Sequence, residues 1–131
     1  DELISLPASA SVADAVVLMT ERDVGAVLVM NEEGLVGGIF SERDYTRKIV
    51  LLGRHSESTR VEEIMTRNVI CVNPRTKTRD CMALMSEKNI RHLPVVDDGR
   101  VVGMVSIRDI VTDIIADQDF TISQLEQYIV S

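Results

Sequence analysis

The segment Gly38-Ile-Phe-Ser-Glu-Arg-Asp44 decides the fold, because it occurs a second time as Gly103-Met-Val-Ser-Ile-Arg-Asp109. Each copy runs from small and apolar residues into Ser-x-x-Asp, a pattern typical of a strand that leads into a helix. The two copies are offset by 65 residues. Internal similarity at a fixed offset indicates a chain built from repeated structural units.

The similarity extends towards the N-terminus of each copy. One residue is skipped near Glu33, and before it the offset is 66, which aligns Asp14 and Glu21 with Asp80 and Glu87. Hydrophobic spacing in each copy predicts a strand, a helix, a hairpin of two strands and a second helix. The predicted segments are strands at 3–6 and 69–72, helices around 12–19 and 78–85, hairpins at 26–40 and 93–105, and helices after Ser41 and Ser106.

The predicted fold class is therefore α+β with two tandem repeats. A repeat of about 50 residues buries too little apolar surface to be stable alone, so the two repeats are expected to pack together. The predicted boundaries are residues 1–52 for repeat 1, a polar linker at 53–64 that runs into a short helix near Val61, and residues 65–116 for repeat 2. Residues 117–131 are expected to form a C-terminal amphipathic helix.

Composition narrows the classes of protein. The chain has 131 residues, of which 45% are hydrophobic and 27% charged, which suits a folded domain. Its net charge of −7 disfavours binding to nucleic-acid backbones. No apolar run reaches the roughly 20 residues that a membrane span needs, so no membrane association is expected. The two cysteines favour a reducing compartment, and we expect a cytoplasmic protein.

Catalytic motifs are missing from the sequence. It contains neither G-x-x-x-x-G-K-[ST] nor G-x-G-x-x-G, so no familiar phosphate-binding loop of an enzyme is predicted. His55 and His92 are the only histidines, and Cys71 and Cys81 lack the C-x-x-C spacing of a metal site. We expect no catalytic residues, no metal and no enzymatic activity, and we expect Cys81 to lie in the core.

The repeated segments, together with Ile90-Arg-His-Leu-Pro-Val-Val96 and Glu63-Ile-Met-Thr66, resemble the CBS-domain family. Tandem pairs of these domains form a Bateman module, and the chain is similar to stand-alone bacterial members. The resemblance implies a pseudo-twofold pair that commonly forms a homodimer and binds adenosine-containing ligands in clefts between the repeats. It does not imply catalysis.

Ser41 with Asp44, and Ser106 with Asp109, are the first candidate ligand-binding residues. Each pair also fits a capping box, in which the serine hydroxyl and the acid only satisfy the backbone at a helix start. The other reading is that the helix start and the serine hydroxyl hold a phosphate. The resemblance implies that the aspartate then accepts hydrogen bonds from ribose hydroxyls. Both readings remain open.

Repeat 2 is predicted to hold the better site. Arg91 and His92 stand where repeat 1 has Gly25 and Ala26, so only repeat 2 offers side-chain donors to a phosphate there. Arg91 could equally be a solvated charge, and His92 a packed or surface histidine. We therefore expect ligand binding first at the motif of Ser106.

Further candidates are the arginines of both motifs, Arg43 and Arg108, which could neutralise a phosphate or pair with neighbouring acids. Arg47 and Lys48 are expected to face solvent. The resemblance implies that apolar residues hold the adenine, which adds Ile4, Ile70, Leu93 and Pro94 to the candidate ligand-binding residues. Each of these four could instead be ordinary core.

The functional hypothesis is a regulatory module that binds AMP, ATP or NAD(H), senses energy or redox state, and changes its assembly or its contacts with a protein target. The alternative is a ligand-independent module for oligomerisation or protein interaction, in which Ser-x-x-Asp serves only for capping.

Overall fold

The computed structural model describes residues 3–116, and the chain divides into two compact units after Ile70. The elements are β1 (Ser5–Pro7), α1 (Val12–Arg22), β2 (Ala26–Met30), β3 (Val36–Ser41), α2 (Glu42–Asp44, continued as a π-helix over Tyr45–Val50), a 3₁₀ helix (Val61–Glu63), α3 (Thr78–Lys88), β4 (His92–Asp97), β5 (Arg100–Ser106) and α4 (residues 107–116). The mixture of helices and strands, with a helix, a hairpin and a second helix in the same order in both repeats, confirms the predicted α+β fold class.

The first unit is built on a three-stranded sheet in the order β1-β2-β3. β1 runs parallel to β2, and β2 runs antiparallel to β3 with Val27 opposite Phe40. The hairpin turn closes at Gly34, whose φ of 79° favours glycine. β2 is the central strand, and Val27 and Val29 are completely buried within it.

Helix α1 covers this sheet, as its apolar spacing predicts. It begins after Ser11, whose hydroxyl accepts a hydrogen bond from the backbone N–H of Asp14 at 3.0 Å. Val12, Ala15 and Met19 lie on one face of the helix and are buried in the core of the unit. The spacing of three and four residues thus marks the face that packs against the sheet.

The helix that follows β3 contains an irregularity that the sequence did not predict. Beyond Asp44 it widens into a π-helix, and the N–H of Leu51 donates to the carbonyl of Thr46 at 3.1 Å. Its predicted apolar face is nevertheless correct, because Ile49 is buried and Tyr45 packs against the core.

Residues 53–70 belong to the first unit by their contacts. The predicted short helix is present as the 3₁₀ helix, and Val61, Ile64 and Met65 are buried in the core of the unit. Thr66 then pairs with Ile39 of β3 through two backbone hydrogen bonds of 2.9 and 2.8 Å. We call residues 61–66 the lead-in segment, since they precede the second repeat in sequence.

The second unit contains the β4–β5 hairpin, which closes at Gly99. The predicted strand at 69–72 is wrong, because only Val72 pairs, in a single parallel bridge with Val95. Pairing stops after Val72, where the Asn73 side chain accepts from the N–H of Arg75 at 2.8 Å and forms a turn. Local side-chain bonds of this kind compete with strand pairing.

Both helices of the second unit match their predicted positions. Helix α3 buries Cys81 and Met85 and ends at Asn89, which has a left-handed φ of 53°. The buried position of Cys81 confirms the expectation from the sequence. Helix α4 buries Ile110. The C-terminal helix expected at 117–131 lies outside the described residues.

Candidate functional site

The start of helix α4 is the first candidate site. The N–H of Asp109 donates to the Ser106 hydroxyl at 3.1 Å, and the N–H of Ser106 donates to Oδ2 of Asp109 at 2.9 Å. These two bonds form the reciprocal capping box that the Ser-x-x-Asp pattern predicts. Capping therefore accounts for the serine hydroxyl and for one oxygen of the aspartate.

The β4–β5 hairpin places Arg91 and His92 beside the start of helix α4. His92 on β4 stands directly opposite Ser106 on β5, so their side chains are neighbours on the same face of the hairpin. The carbonyl of Arg91 accepts a hydrogen bond from the N–H of Ile107 at 2.8 Å, which ties the strand to the first turn of the helix. The fold thus places the strand residues Arg91 and His92 beside the helix start that carries Ser106 and Asp109.

Asp109 retains capacity to bind a ligand. Its side chain is exposed, and no donor to Oδ1 and no salt bridge to the carboxylate is found within residues 3–116. Arg91 and Arg108 are also exposed, whereas His92 is half-buried. The group therefore combines a carboxylate oxygen that can accept a hydroxyl with nearby cations that can neutralise a phosphate.

The apolar candidates show core contacts. Leu93 and Pro94 are completely buried, and the carbonyl of Pro94 accepts from the N–H of Val72 at 2.9 Å. Ile70 is half-buried, and Ile4 packs against the core of the first unit. Their contacts match the core reading, and an adenine role for them stays a prediction.

The matching helix start in the first unit has the same capping box. Ser41 donates to Oδ2 of Asp44 through its N–H at 3.0 Å and through its hydroxyl at 3.2 Å. In return the N–H of Asp44 donates to the Ser41 hydroxyl at 3.3 Å. Unlike Asp109, Asp44 is only 6% exposed.

The second oxygen of Asp44 is also occupied. Oδ1 accepts from the Thr66 hydroxyl at 3.1 Å and from Nζ of Lys48 at 3.0 Å. Nζ of Lys48 also donates to the carbonyl of Ile64 at 2.9 Å. Lys48 was expected to face solvent, and 38% of its side chain is exposed, but its ammonium bridges the carboxylate and the lead-in segment. Arg47, by contrast, is exposed.

Thr66 is the contact that sequence reasoning missed. It lies in Glu63-Ile-Met-Thr66, but no periodicity links it to Asp44, which is 22 positions earlier.

The first unit has the same pairing around its helix start as the second. The carbonyl of Gly25 accepts from the N–H of Glu42 at 3.0 Å, and Ala26 stands opposite Ser41. These two pairings confirm that Gly25 and Ala26 match Arg91 and His92.

Residues 3–116 contain no group of three or more His, Cys, Asp or Glu side chains that could hold a metal ion. Within the same range, no helix is long and apolar enough to cross a bilayer.

Comparison with protein families and curated sequences gives consistent matches. The CBS domain family model matches residues 1–51 and 61–116. The mitochondrial CBS domain-containing protein CBSX3 of Arabidopsis thaliana is 43% identical over 123 residues, which are 91% of this chain and 60% of that protein. The CBS domain-containing protein YhcV of Bacillus subtilis is 33% identical over 100 residues, 76% of this chain and 70% of that protein. This chain thus spans under two thirds of the length of the plant relative.

Solved structures agree with these matches. A protein with CBS domains from Burkholderia ambifaria, described as a candidate signal-transduction protein, is 48% identical with a TM-score of 0.85, over 89% of this chain and 85% of that one. A CBS domain protein from Pyrobaculum aerophilum, complexed with AMP, is 26% identical with a TM-score of 0.76, over 83% of each chain.

The fold and the two helix starts define a class of protein, a tandem repeat of α+β units with a capped Ser-x-x-Asp motif in each. The family model covers most of the sequence, and the chain belongs to the CBS-domain family. Proteins of this family are generally regulatory, and the related proteins named above are not described as enzymes.

Proposed function

We propose that the protein is a regulatory module that binds an adenosine nucleotide, such as AMP, ATP or NAD(H), at the start of helix α4. The observation that carries the proposal is that Arg91 and His92 lie on the strand beside the helix start of Ser106 and Asp109, where Oδ1 of Asp109 has no donor among the described residues. A related protein is known in complex with AMP, which supports this ligand class.

The proposed chemistry assigns a role to each polar group. A phosphate would accept from the Ser106 hydroxyl and pair with the exposed Arg91 guanidinium, which can donate two parallel hydrogen bonds. Oδ1 of Asp109 would accept from a ribose hydroxyl, and its negative charge strengthens that bond. Arg108, on the first turn of the helix, would add positive charge near the phosphate.

The regulatory step follows from linkage. A nucleotide changes assembly or contacts with a protein target only if it binds one state of the module more tightly than another. We propose self-association, with a homodimer as the simplest form, as the property that responds. A related CBS-CP12 protein, 30% identical to this chain with a TM-score of 0.76, is described as hexameric. The small number of cysteines supports action in a reducing compartment such as the cytoplasm.

The test is a thermal-shift screen with AMP, ATP, NAD⁺ and NADH on the wild type and on the Asp109→Asn variant. Asparagine can still cap the helix, but its amide NH₂ cannot accept a ribose hydroxyl. Loss of one charge-assisted hydrogen bond should weaken binding by about 10- to 100-fold, which corresponds to about 1.5–3 kcal/mol. A ligand-dependent rise in melting temperature that this variant loses supports the site.

The same samples distinguish the alternative of a ligand-independent interaction module. In that case no nucleotide raises the melting temperature, and light scattering gives the same oligomeric state with and without nucleotide. An equal shift in the wild type and in Asp109→Asn would contradict the assignment of the site and leave nucleotide binding elsewhere in the chain.

A further inference from the structure

We propose that Lys48 closes the carboxylate of Asp44, that is, it occupies the last acceptor position that a ligand could use. The chain then has a single nucleotide site, which lies in repeat 2. This inference rests on the proposed function. An ionised carboxylate offers about four positions for donors. Asp44 uses Oδ2 for the two donors of Ser41, and Oδ1 for the hydroxyl of Thr66 and the ammonium of Lys48. No acceptor position remains for a ribose hydroxyl.

The lead-in segment also holds Lys48 and Thr66 in their positions against Asp44. The ammonium of Lys48 also donates to the carbonyl of Ile64, and Ile64 and Met65 are buried in the core of the unit. Two backbone hydrogen bonds between Thr66 and Ile39 keep the Thr66 hydroxyl in place. Thr66 is exposed and 38% of the Lys48 side chain is exposed, but further hydrogen bonds fix both donors to Oδ1, and a ligand would have to displace them to reach the carboxylate.

Repeat 2 lacks the cation that closes repeat 1. At the offset of 65 residues, Asp113 stands where Lys48 stands in repeat 1. Asp113 accepts a hydrogen bond from the hydroxyl of Thr78 at 3.2 Å, and as an acid it cannot pair with Asp109. Asp109 is exposed and has no salt bridge within residues 3–116. Repeat 2 thus lacks the ammonium that occupies Oδ1 in repeat 1, and among residues 3–116 no hydroxyl takes the place of Thr66 on Asp109.

The experiment is equilibrium dialysis of the full chain with AMP, which measures the number of nucleotides bound per chain. The variant is Lys48→Met, which keeps the length and the apolar stem of the side chain but removes the ammonium. Arg47→Met is the matched control, because it removes the same charge from the adjacent exposed position. Asp44→Asn and Asp109→Asn identify the site that each bound nucleotide occupies.

We expect one AMP per chain in the wild type, in Arg47→Met and in Asp44→Asn, and a loss of binding by at least about tenfold in Asp109→Asn. Lys48→Met should bind a second AMP, because Oδ1 of Asp44 regains an acceptor position. Circular dichroism establishes that each variant is folded. If Lys48→Met does not fold, Thr66→Val replaces it, since it removes the other donor to Oδ1 and keeps the shape of the side chain.

Three results overturn the inference while nucleotide binding stands. They are two AMP per chain in the wild type, a single AMP that Asp44→Asn loses and Asp109→Asn keeps, and a folded Lys48→Met or Thr66→Val variant that still binds only one. A wild type that binds no AMP, ATP or NAD(H) overturns the proposed function and this inference with it.

Discussion

Gly38→Ala should detach the lead-in segment from strand β3. A Cβ atom at position 38 would lie 2.7 Å from Sδ of Met65 and 2.7 Å from the carbonyl oxygen of Thr66. The methionine side chain could move aside, but the carbonyl belongs to backbone that is paired with Ile39 through hydrogen bonds of 2.9 and 2.8 Å. The added methyl group therefore forces this pairing apart.

The expected cost combines overpacking with lost hydrogen bonds. Inserting a methyl group into a packed site typically costs about 1–3 kcal/mol, and each backbone hydrogen bond contributes about 1 kcal/mol net. With partial relaxation of the segment, Gly38→Ala should lower the free energy of unfolding by about 2–4 kcal/mol. For a chain of this size the melting temperature should fall by about 10 °C. Urea unfolding and thermal melts, both followed by circular dichroism, measure the two quantities.

Gly103→Ala is the matched control, because Gly103 occupies the equivalent position on strand β5. No described atom lies within 4 Å of a Cβ placed there. Neither glycine has a positive φ, so alanine is compatible with the backbone at both positions. Gly103→Ala should leave stability unchanged or raise it by up to about 1 kcal/mol. Equal destabilisation by the two substitutions would refute the reasoning, since only Gly38 faces the lead-in segment.

Two further predictions concern titratable groups. The backbone N–H of Arg60, followed by the Arg54 guanidinium, lowers the pKa of Glu63 below its ordinary value of 4.5. Its carboxylate thus stabilises the fold above pH 4.5, and this contribution disappears as the pH falls through the lowered pKa. The difference in melting temperature between wild type and Glu63→Gln should therefore shrink in acid, and a constant difference would exclude this origin. Desolvation raises the pKa of both thiols. Cys71 is exposed and Cys81 is buried, so a thiol reagent should modify one cysteine in the native protein and two after unfolding.

Local sequence patterns were sufficient for most of the secondary structure. The apolar spacing of α1 and α3 and the Ser-x-x-Asp motifs each depend on residues within a few positions of one another. Two features of the secondary structure were not predicted, and both concern short stretches of chain. Val72 makes only one bridge before Asn73 starts a turn, and the π-helix after Asp44 has no sequence signal.

The candidate site of repeat 2 could also be predicted from the sequence. The repeat alignment matches Arg91 and His92 with Gly25 and Ala26, and the register of the hairpin in the structure then sets His92 opposite Ser106. The closed site of repeat 1 could not be predicted in the same way. Lys48 was expected to face solvent, whereas it donates both to Asp44 and to the carbonyl of Ile64.

The sequence by itself therefore determined the two repeats, the helix, hairpin and helix of each, and the capped helix starts. All of these follow from periodicities and pairings that act along short stretches of chain. Only the tertiary structure decided that Asp44 is buried and fully occupied. Its partner Thr66 is 22 residues away, and the two meet because the lead-in segment buries Ile64 and Met65 against the first unit. A contact that depends on packing across such a distance leaves no repeating pattern in the sequence.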